Sequence, residues 1–479
     1  MPLILPGNVA SATASTGYDV ANSCRFNDGD SASMTKTSGS GDRRQFTISA
    51  WVKRGVLGTE QEIYGSGDSG SNVFGVFFDG STNRLSVTDY QSGGTLTLTT
   101  NRVFRDCSAW YHVCVAIDTE QATNTNRVKI YINGTQETSF ATANYPDEDE
   151  DLYVNVSGQP HNVGVDQGPG RFFDGYMAEV VFIDGTQYAA SDFGEFDSDS
   201  PTIWKPKDPS GLTFGTNGFY LDFEASDNLG NDANGGTDLT ESNLAATDQA
   251  TDTPTNNFAT WNAAIIMDSA CSFAEGNLKA TTTNDYAAGA SNSFFSTIGM
   301  TSGKWYWEIN VVTAPNSYSL AGIAFDLSAH QQGSTASQYN YSYTTLGYSY
   351  SGGGGIGNDG DGWTSTGYDT YAAGDILSFA LDLDNDNFYV AKNGTWQNSA
   401  DPESGATGTG AFSIASGNTY FAAVSDNQKT NVWVYDANFG SPSYAITSGN
   451  ADADDYGNFE YAVPSGYYAL CTKNLAEYG

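Results

Sequence analysis

Helical periodicity is almost absent from this sequence, and that constrains its fold more than any other feature. No stretch of 12 or more residues places apolar side chains at i, i+3, i+4 and i+7. Short alternating or continuous apolar runs recur instead, broken by Gly, Asn, Asp and Ser. Residues 46–52, 73–78, 95–99, 111–117, 128–132 and 177–183 read as strands, as do 304–311, 320–325, 376–383, 388–390, 420–424 and 431–435. Many short strands with frequent turn signals build a sandwich or a barrel.

The two halves share a local pattern. In the first, a strand ends at Asp118 and the next runs 129–132 into Asn133-Gly134-Thr135. In the second, a strand ends at Asp382 and the next runs 388–390 toward Asn393-Gly394-Thr395. Asn-Gly supplies the two positive φ angles of a type I′ hairpin. Between the halves, residues 201–262 hold Pro206, Pro209 and Pro254 and a Thr/Asn/Asp-rich stretch, interrupted by one strand-like segment, 219–223. A structureless loop of that length inside a domain is unusual. The stretch reads either as an interdomain linker or, the favoured reading, as the closing strand of the first sandwich followed by a shorter linker.

Composition narrows the function. Against 19 Lys and Arg stand 56 Asp and Glu, a formal charge of −37. Such a chain repels nucleic-acid phosphates and anionic membrane surfaces. With 13% aromatic residues it does not read as disordered. No run approaches the length of a membrane span. The opening MPLILPG carries no Lys or Arg ahead of its short apolar patch, so it does not read as a secretory signal. The cysteines, Cys24, Cys107, Cys114, Cys271 and Cys471, are odd in number and scattered, which suits buried thiols of a reducing cytoplasm better than disulfides or zinc.

Residues 46–55 (FTISAWVKRG), 110–119 (WYHVCVAIDT), 128–135 (VKIYINGT) and 174–185 (DGYMAEVVFIDG) together resemble the laminin-G-like, concanavalin-A-type lectin domain. Residues 303–309 (GKWYWEI), 321–325 (AGIAF), 374–396 and 464–470 (PSGYYAL) resemble a SPRY-type domain. The combination, with MPLILPG and the stretches 22–35 and 219–258, is similar to virion structural proteins of marine tailed phages. The resemblance implies an all-β fold of two concanavalin-A-like antiparallel β-sandwich (jelly-roll) domains joined by a linker. The expected layout is an arm over 1–21, a laminin-G-like sandwich over 22–205, a linker over 206–261, and a SPRY-like sandwich over 262–479.

Concanavalin-like folds host lectins and hydrolases alike, so the residues must decide. Sandwich hydrolases of this kind carry Glu-x-Asp-x-x-Glu on a strand. The nearest match here is Glu179 to Asp184, with Val181 where the central acid belongs. Glu308 stands alone in its strand. His112 alternates with Trp110 and Cys114 and reads as a packed imidazole, whereas His161 and His330, in Gly/Gln/Ser-rich stretches, read as solvated. Residues 65–70 satisfy Gly-x-Gly-x-x-Gly, but a strand follows, so no helix N-terminus can cradle phosphate. The Asx-rich runs Asp382-x-Asp384-x-Asp386, Asn358-Asp359-x-Asp361 and Asp227-x4-Asp232 leave structural calcium open, although Asx turns need no metal. No cofactor is otherwise expected.

Sugar binding uses aromatic faces beside short polar groups. Residues 338–371 are the densest such region. Tyr339, Tyr341, Tyr343, Tyr348 and Tyr350 alternate as buried strand residues would. Trp363, Tyr368 and Tyr371, with Asp359 and Asp361, are the expected glycan-binding residues. The reading is a non-enzymatic virion surface protein, a tail fibre or appendage that binds host-surface polysaccharide. Its alternatives are a purely structural capsid decoration or collar protein and, less favoured, a glycan depolymerase. Its expected partners are other virion proteins and further copies of itself, as a trimer, with no nucleic acid and no membrane insertion. It would be made in the host bacterial cytoplasm.

Overall fold

A computed structural model describes residues 4–5, 17–68, 71–91, 93–168, 170–265, 271–282, 292–313, 315, 319–327, 346–358, 363–426 and 432–479. The fold is all-β. The chain divides into two compact units, residues 13–255 and residues 256–479 together with 1–12.

The N-terminal unit is built on two large antiparallel sheets, with a two-stranded ribbon, Gly194–Phe196 and Trp204–Pro206, beside them. Across the first lie Thr135–Gln136, Val128–Ile132, Tyr111–Asp118, Gln45–Arg54, Gly175–Asp184, Ser23–Phe26 and Gln249–Ala250, with Phe219–Leu221 also paired to Gly175–Asp184. Across the second lie Phe140–Asn144, Gly94–Val103, Arg84–Gln91, Asn72–Phe78, Gln61–Gly67, Pro160–Val163, Ser33–Thr37 and Thr240–Ser242. Alternation directs Phe46, Ile48, Ala50 and Val52 of one sheet against Tyr64, Phe74 and Val76 of the other. Phe182 sits at the centre, stacked 5.5 Å from Tyr64 and 5.8 Å from Phe219.

The stretch read as a linker adds strands to this unit. Phe219–Leu221, Thr240–Ser242 and Gln249–Ala250 all pair with its sheets. The last is pinned by Asp252, whose carboxylate takes Lys53 Nζ at 2.6 Å and the indole N–H of Trp110 at 3.0 Å.

The C-terminal unit repeats the architecture. One sheet runs Ser272–Ala274, Lys279–Thr281, Val434–Asn438, Lys304–Val311, Ile376–Asp382, Asn387–Lys392, Thr395–Trp396. The other runs Asn292–Phe295, Phe421–Asp426, Ser319–Ala324, Gly347–Ser351, Gly355–Asn358, Trp363–Thr366. Trp307 packs inside, stacked on Phe379 at 5.4 Å. Ile4 of the N-terminal arm bridges Ile298 of this unit. In both units Asn-Gly closes a hairpin with two left-handed residues: Asn133 φ 48 and Gly134 φ 73, Asn393 φ 48 and Gly394 φ 75.

Candidate functional site

Of the expected glycan-binding residues, the structure describes the side chains of Tyr368 and Tyr371. Tyr371 is buried, 4% exposed, and its hydroxyl donates to the Ser319 carbonyl at 2.7 Å. Its ring meets Tyr350 edge-on at 5.2 Å. Tyr368 is half-buried between Tyr350 and Phe412. Both rings contact Tyr350, at 6.1 Å from Tyr368 and 5.2 Å from Tyr371, and Tyr371 is thereby taken into the core. Trp363 opens the strand Trp363–Thr366, but its side chain, like Asp359 and Asp361, lies outside the described residues, as do Tyr339, Tyr341, Tyr343 and His330. Tyr348 and Tyr350 are buried, as their alternation implied.

The catalytic candidates are structural. Glu179 occupies a bulge in Gly175–Asp184, at φ 50, where the register against Gln45–Arg54 shifts. Its carboxylate accepts from the Tyr220 hydroxyl at 2.8 Å and the Tyr18 hydroxyl at 3.2 Å. Asp184 accepts backbone N–H groups from Asp42 and Asn217 and the amide of Asn155. Glu308 is fully buried and accepts from the Tyr306 hydroxyl and the N–H groups of Glu460 and Tyr461. Asp382 accepts the N–H groups of Asp384 and Asn385 within its hairpin turn. Asp232 takes Lys36, Tyr220 N–H and Asn234 N–H. Among the described residues no group of three or more His, Cys, Asp or Glu side chains could hold a metal ion. The five cysteines are buried free thiols.

One contact resembles a catalytic dyad. Ser49 Oγ lies 2.8 Å from His112 Nε2. The other ring nitrogen, Nδ1, is 3.1 Å from the indole nitrogen of Trp204, which can only donate. Nδ1 is therefore the lone-pair nitrogen, and the neutral ring carries its proton on Nε2. His112 donates to Ser49 and cannot take its proton, so this is a packed pair and no nucleophile.

His161 corrects a second expectation. It is fully buried in the strand Pro160–Val163, between Ser33–Thr37 and Gln61–Gly67, with Tyr64 on its Nδ1. The strand Pro160–Val163 is four residues long and bounded by Gly158 and Gly164, so its alternation is a weak signal in the sequence.

These buried groups set the pH response. Burial pushes Glu179 up to about 8, partly opposed by the two tyrosine hydrogen bonds, and burial with the nearby Asp28 pushes Asp174 up to about 8. Both acids stay protonated in the fold where the unfolded chain ionises, so stability falls as pH rises from the ordinary carboxylate range toward 8. Burial pushes His112 and His161 down to about 3. Both remain neutral where the unfolded chain protonates, so stability also falls as pH drops from about 6.5 toward 3. The N-terminal unit should be most stable near pH 5 to 6, and Glu179→Gln should flatten the alkaline limb of melting temperature against pH. An unchanged alkaline limb would remove Glu179 from this account.

A cleft of about 430 Å³ lies in the N-terminal unit, across the edge of the second sheet. Its floor is Ser33 and Thr35 of one strand and Pro160 and Asn162 of the next. A wall from the following loop supplies Val165, Asp166, Gln167 and Phe172, and Ser31, Ser242 and Asn243 close the outer end. The Asn162 amide accepts from the Thr35 hydroxyl at 2.9 Å and donates to Gln167 Oε1 at 3.1 Å, leaving the Gln167 NH₂ as a donor. Asp166 accepts the Gly170 N–H at 3.0 Å and keeps further acceptor capacity. Phe172 is half-buried.

The wall is tied to the sheet. Glu62 N–H donates to the Arg171 carbonyl at 3.0 Å, and Gly164 N–H to the Ile63 carbonyl at 3.2 Å. The Glu62 side chain is 1% exposed and pairs with Arg171 at 3.5 Å. Burial drives its carboxyl well above the usual range, and Arg171 opposes this. Arg171 also donates to Glu60 at 2.9 Å and lies 4.2 Å over the Phe77 ring. Two glycines make room: a Cβ at Gly75 would collide with the Glu62 carboxylate, and one at Gly65 would stand 3.0 Å from the Val165 carbonyl oxygen. Sequence reading missed this cleft. Its residues are ordinary short polar types, and the alternation Pro160, Asn162 against His161, Val163 was the available signal.

Residues 27–190 match the family model Laminin_G_3, described as the concanavalin A-like lectin/glucanases superfamily. The N-terminal unit thus has a concanavalin A-like lectin fold, and the cleft lies within the matched residues apart from Ser242 and Asn243. No curated protein matches the chain. Among solved structures, the SPRY domain of human HERC1 is similar at 16% identity and TM-score 0.29, covering 37% of this chain and 96% of that one. A putative carbohydrate binding protein from Bacteroides ovatus is similar at 15% identity and TM-score 0.32, covering 47% and 61%. Domain 4 of AbnA, an arabinanase from Geobacillus stearothermophilus in complex with arabinotriose, is similar at 16% identity and TM-score 0.25, covering 32% and 67%. These likenesses concern fold alone.

Proposed function

We propose that this chain is a non-enzymatic glycan-binding protein that takes carbohydrate in the cleft of its N-terminal unit. The cleft carries the reading. In a lectin-type fold it sets amide donors and carboxylate acceptors beside Phe172 and Pro160, and sugar hydroxyls both donate and accept while sugar C–H faces pack on rings. Its volume falls in the usual range for small-ligand sites. The acids that hydrolysis would need are engaged elsewhere: Glu179 is held by two tyrosines and Asp184 by backbone N–H groups. Calorimetric titration of uncharged oligosaccharides against the full chain should show binding that Asn162→Ala and Gln167→Ala each weaken at least about tenfold. Binding untouched by both substitutions would move the site elsewhere.

We further propose display on a phage particle, as a tail fibre or appendage contacting other virion proteins. The whole-chain resemblance supports this, and a capsid decoration protein is the alternative. Gold-labelled antibody against the chain, viewed on particles, tests it. Label at tail tips favours attachment, label spread over the head favours decoration, and no label on any particle overturns both.

A further inference from the structure

We infer that the cleft selects uncharged glycans and rejects sulfated or uronate-bearing ones, an inference that rests on the glycan-binding reading. Of the described residues that line the cleft, Asp166 alone is charged. The cations nearest in the chain to the lining residues are already neutralised. Lys36, beside Thr35, pairs with Asp232 at 3.4 Å, and Arg171, beside Phe172, pairs with Glu60 at 2.9 Å. An anionic group entering here meets a carboxylate and, among the described lining residues, no cation, within a chain of net charge −37. Like charge brought together in a partly enclosed site is the element that rejects a wrong ligand. What remains is hydroxyl recognition by Asn162, Gln167 and Asp166, which needs no charge on the ligand.

Matched oligosaccharides test this on the full chain. The uncharged set is gluco-, manno- and xylo-oligosaccharides, and the charged set is oligoalginate and sulfated galactan oligomers. The expected result is binding of an uncharged member, nearly independent of salt, with charged members at least about tenfold weaker at low salt. Asp166→Asn should narrow that gap while keeping the hydrogen bond from Gly170, and unchanged thermal melting would show the fold intact. Charged oligomers that bind as tightly as uncharged ones, and are lost in Asn162→Ala or Gln167→Ala, would overturn the selectivity and leave the glycan reading standing. Absence of binding by every oligomer, or binding indifferent to both cleft substitutions, would overturn both.

Discussion

Asp252→Ala should destabilise the N-terminal unit by about 3–5 kcal/mol, the cost of leaving one partner of a buried ion pair uncompensated. Lys53 and Asp252 are each 1% exposed and meet at 2.6 Å, while the Trp110 indole takes the other carboxylate oxygen. Removing the carboxylate takes the 2.6 Å counter-ion from a buried ammonium and the acceptor from the Trp110 indole N–H. The Ser23 hydroxyl still donates to the backbone carbonyl of residue 252 at 2.6 Å, so the loss falls on the carboxylate's contacts and not on this tie. The melting temperature should fall by roughly 10 °C. Hydrogen exchange should quicken first across 249–255. The double variant Lys53→Met, Asp252→Ala should recover most of the loss, because the pair is then replaced and not broken. A fall below about 1 kcal/mol in the single variant would show that Lys53 reaches water, contrary to its burial.

Glu308→Ala should cost the C-terminal unit about 3 kcal/mol. Its carboxylate accepts two backbone N–H groups, from Glu460 at 2.9 Å and Tyr461 at 2.8 Å, and the Tyr306 hydroxyl at 2.9 Å. Each buried donor left without a partner costs about 1–3 kcal/mol, and relaxation of the 450–461 segment returns part of it. Exchange should rise in that segment while 13–255 stays protected. Equal loosening of both units would contradict the division of the chain into two compact bodies.

The strands legible in the sequence are those with one apolar face against the core. Residues 128–132 and 304–311 were read to the residue, and Tyr111–Asp118 and Ile376–Asp382 to within one. Gln61–Gly67, Arg84–Gln91 and Ser33–Thr37 went unread, because Gly, Ser, Thr and Glu dilute their alternation. Pairing with neighbours, not propensity, makes them strands. Within 206–255 the apolar run at 219–223 was legible as a strand, whereas Thr240–Ser242 and Gln249–Ala250 were hidden for the same reason. The site was less legible. Tyr-rich segments look alike whether rings face ligand or core, and only three-dimensional placement buries Tyr371. The cleft joins residues from 31 to 243, and its chemistry comes from amides common at any surface. The Ser49–His112 contact shows the converse: a suggestive pair is disarmed by Trp204, 92 positions away in the chain.

The Glu62–Arg171 pairing under the cleft wall bears on how a ligand would bind. A binding loop that is mobile before its ligand arrives must be ordered during association, which weakens affinity and slows the encounter. Here the wall is fastened to the sheet by backbone bonds and by a guanidinium clamped between Glu60, Glu62 and the Phe77 ring. Its ordering entropy is met when the unit folds, long before any sugar arrives. The cleft therefore behaves as a preformed mould, and differences in affinity among ligands should reside in how fast each one leaves.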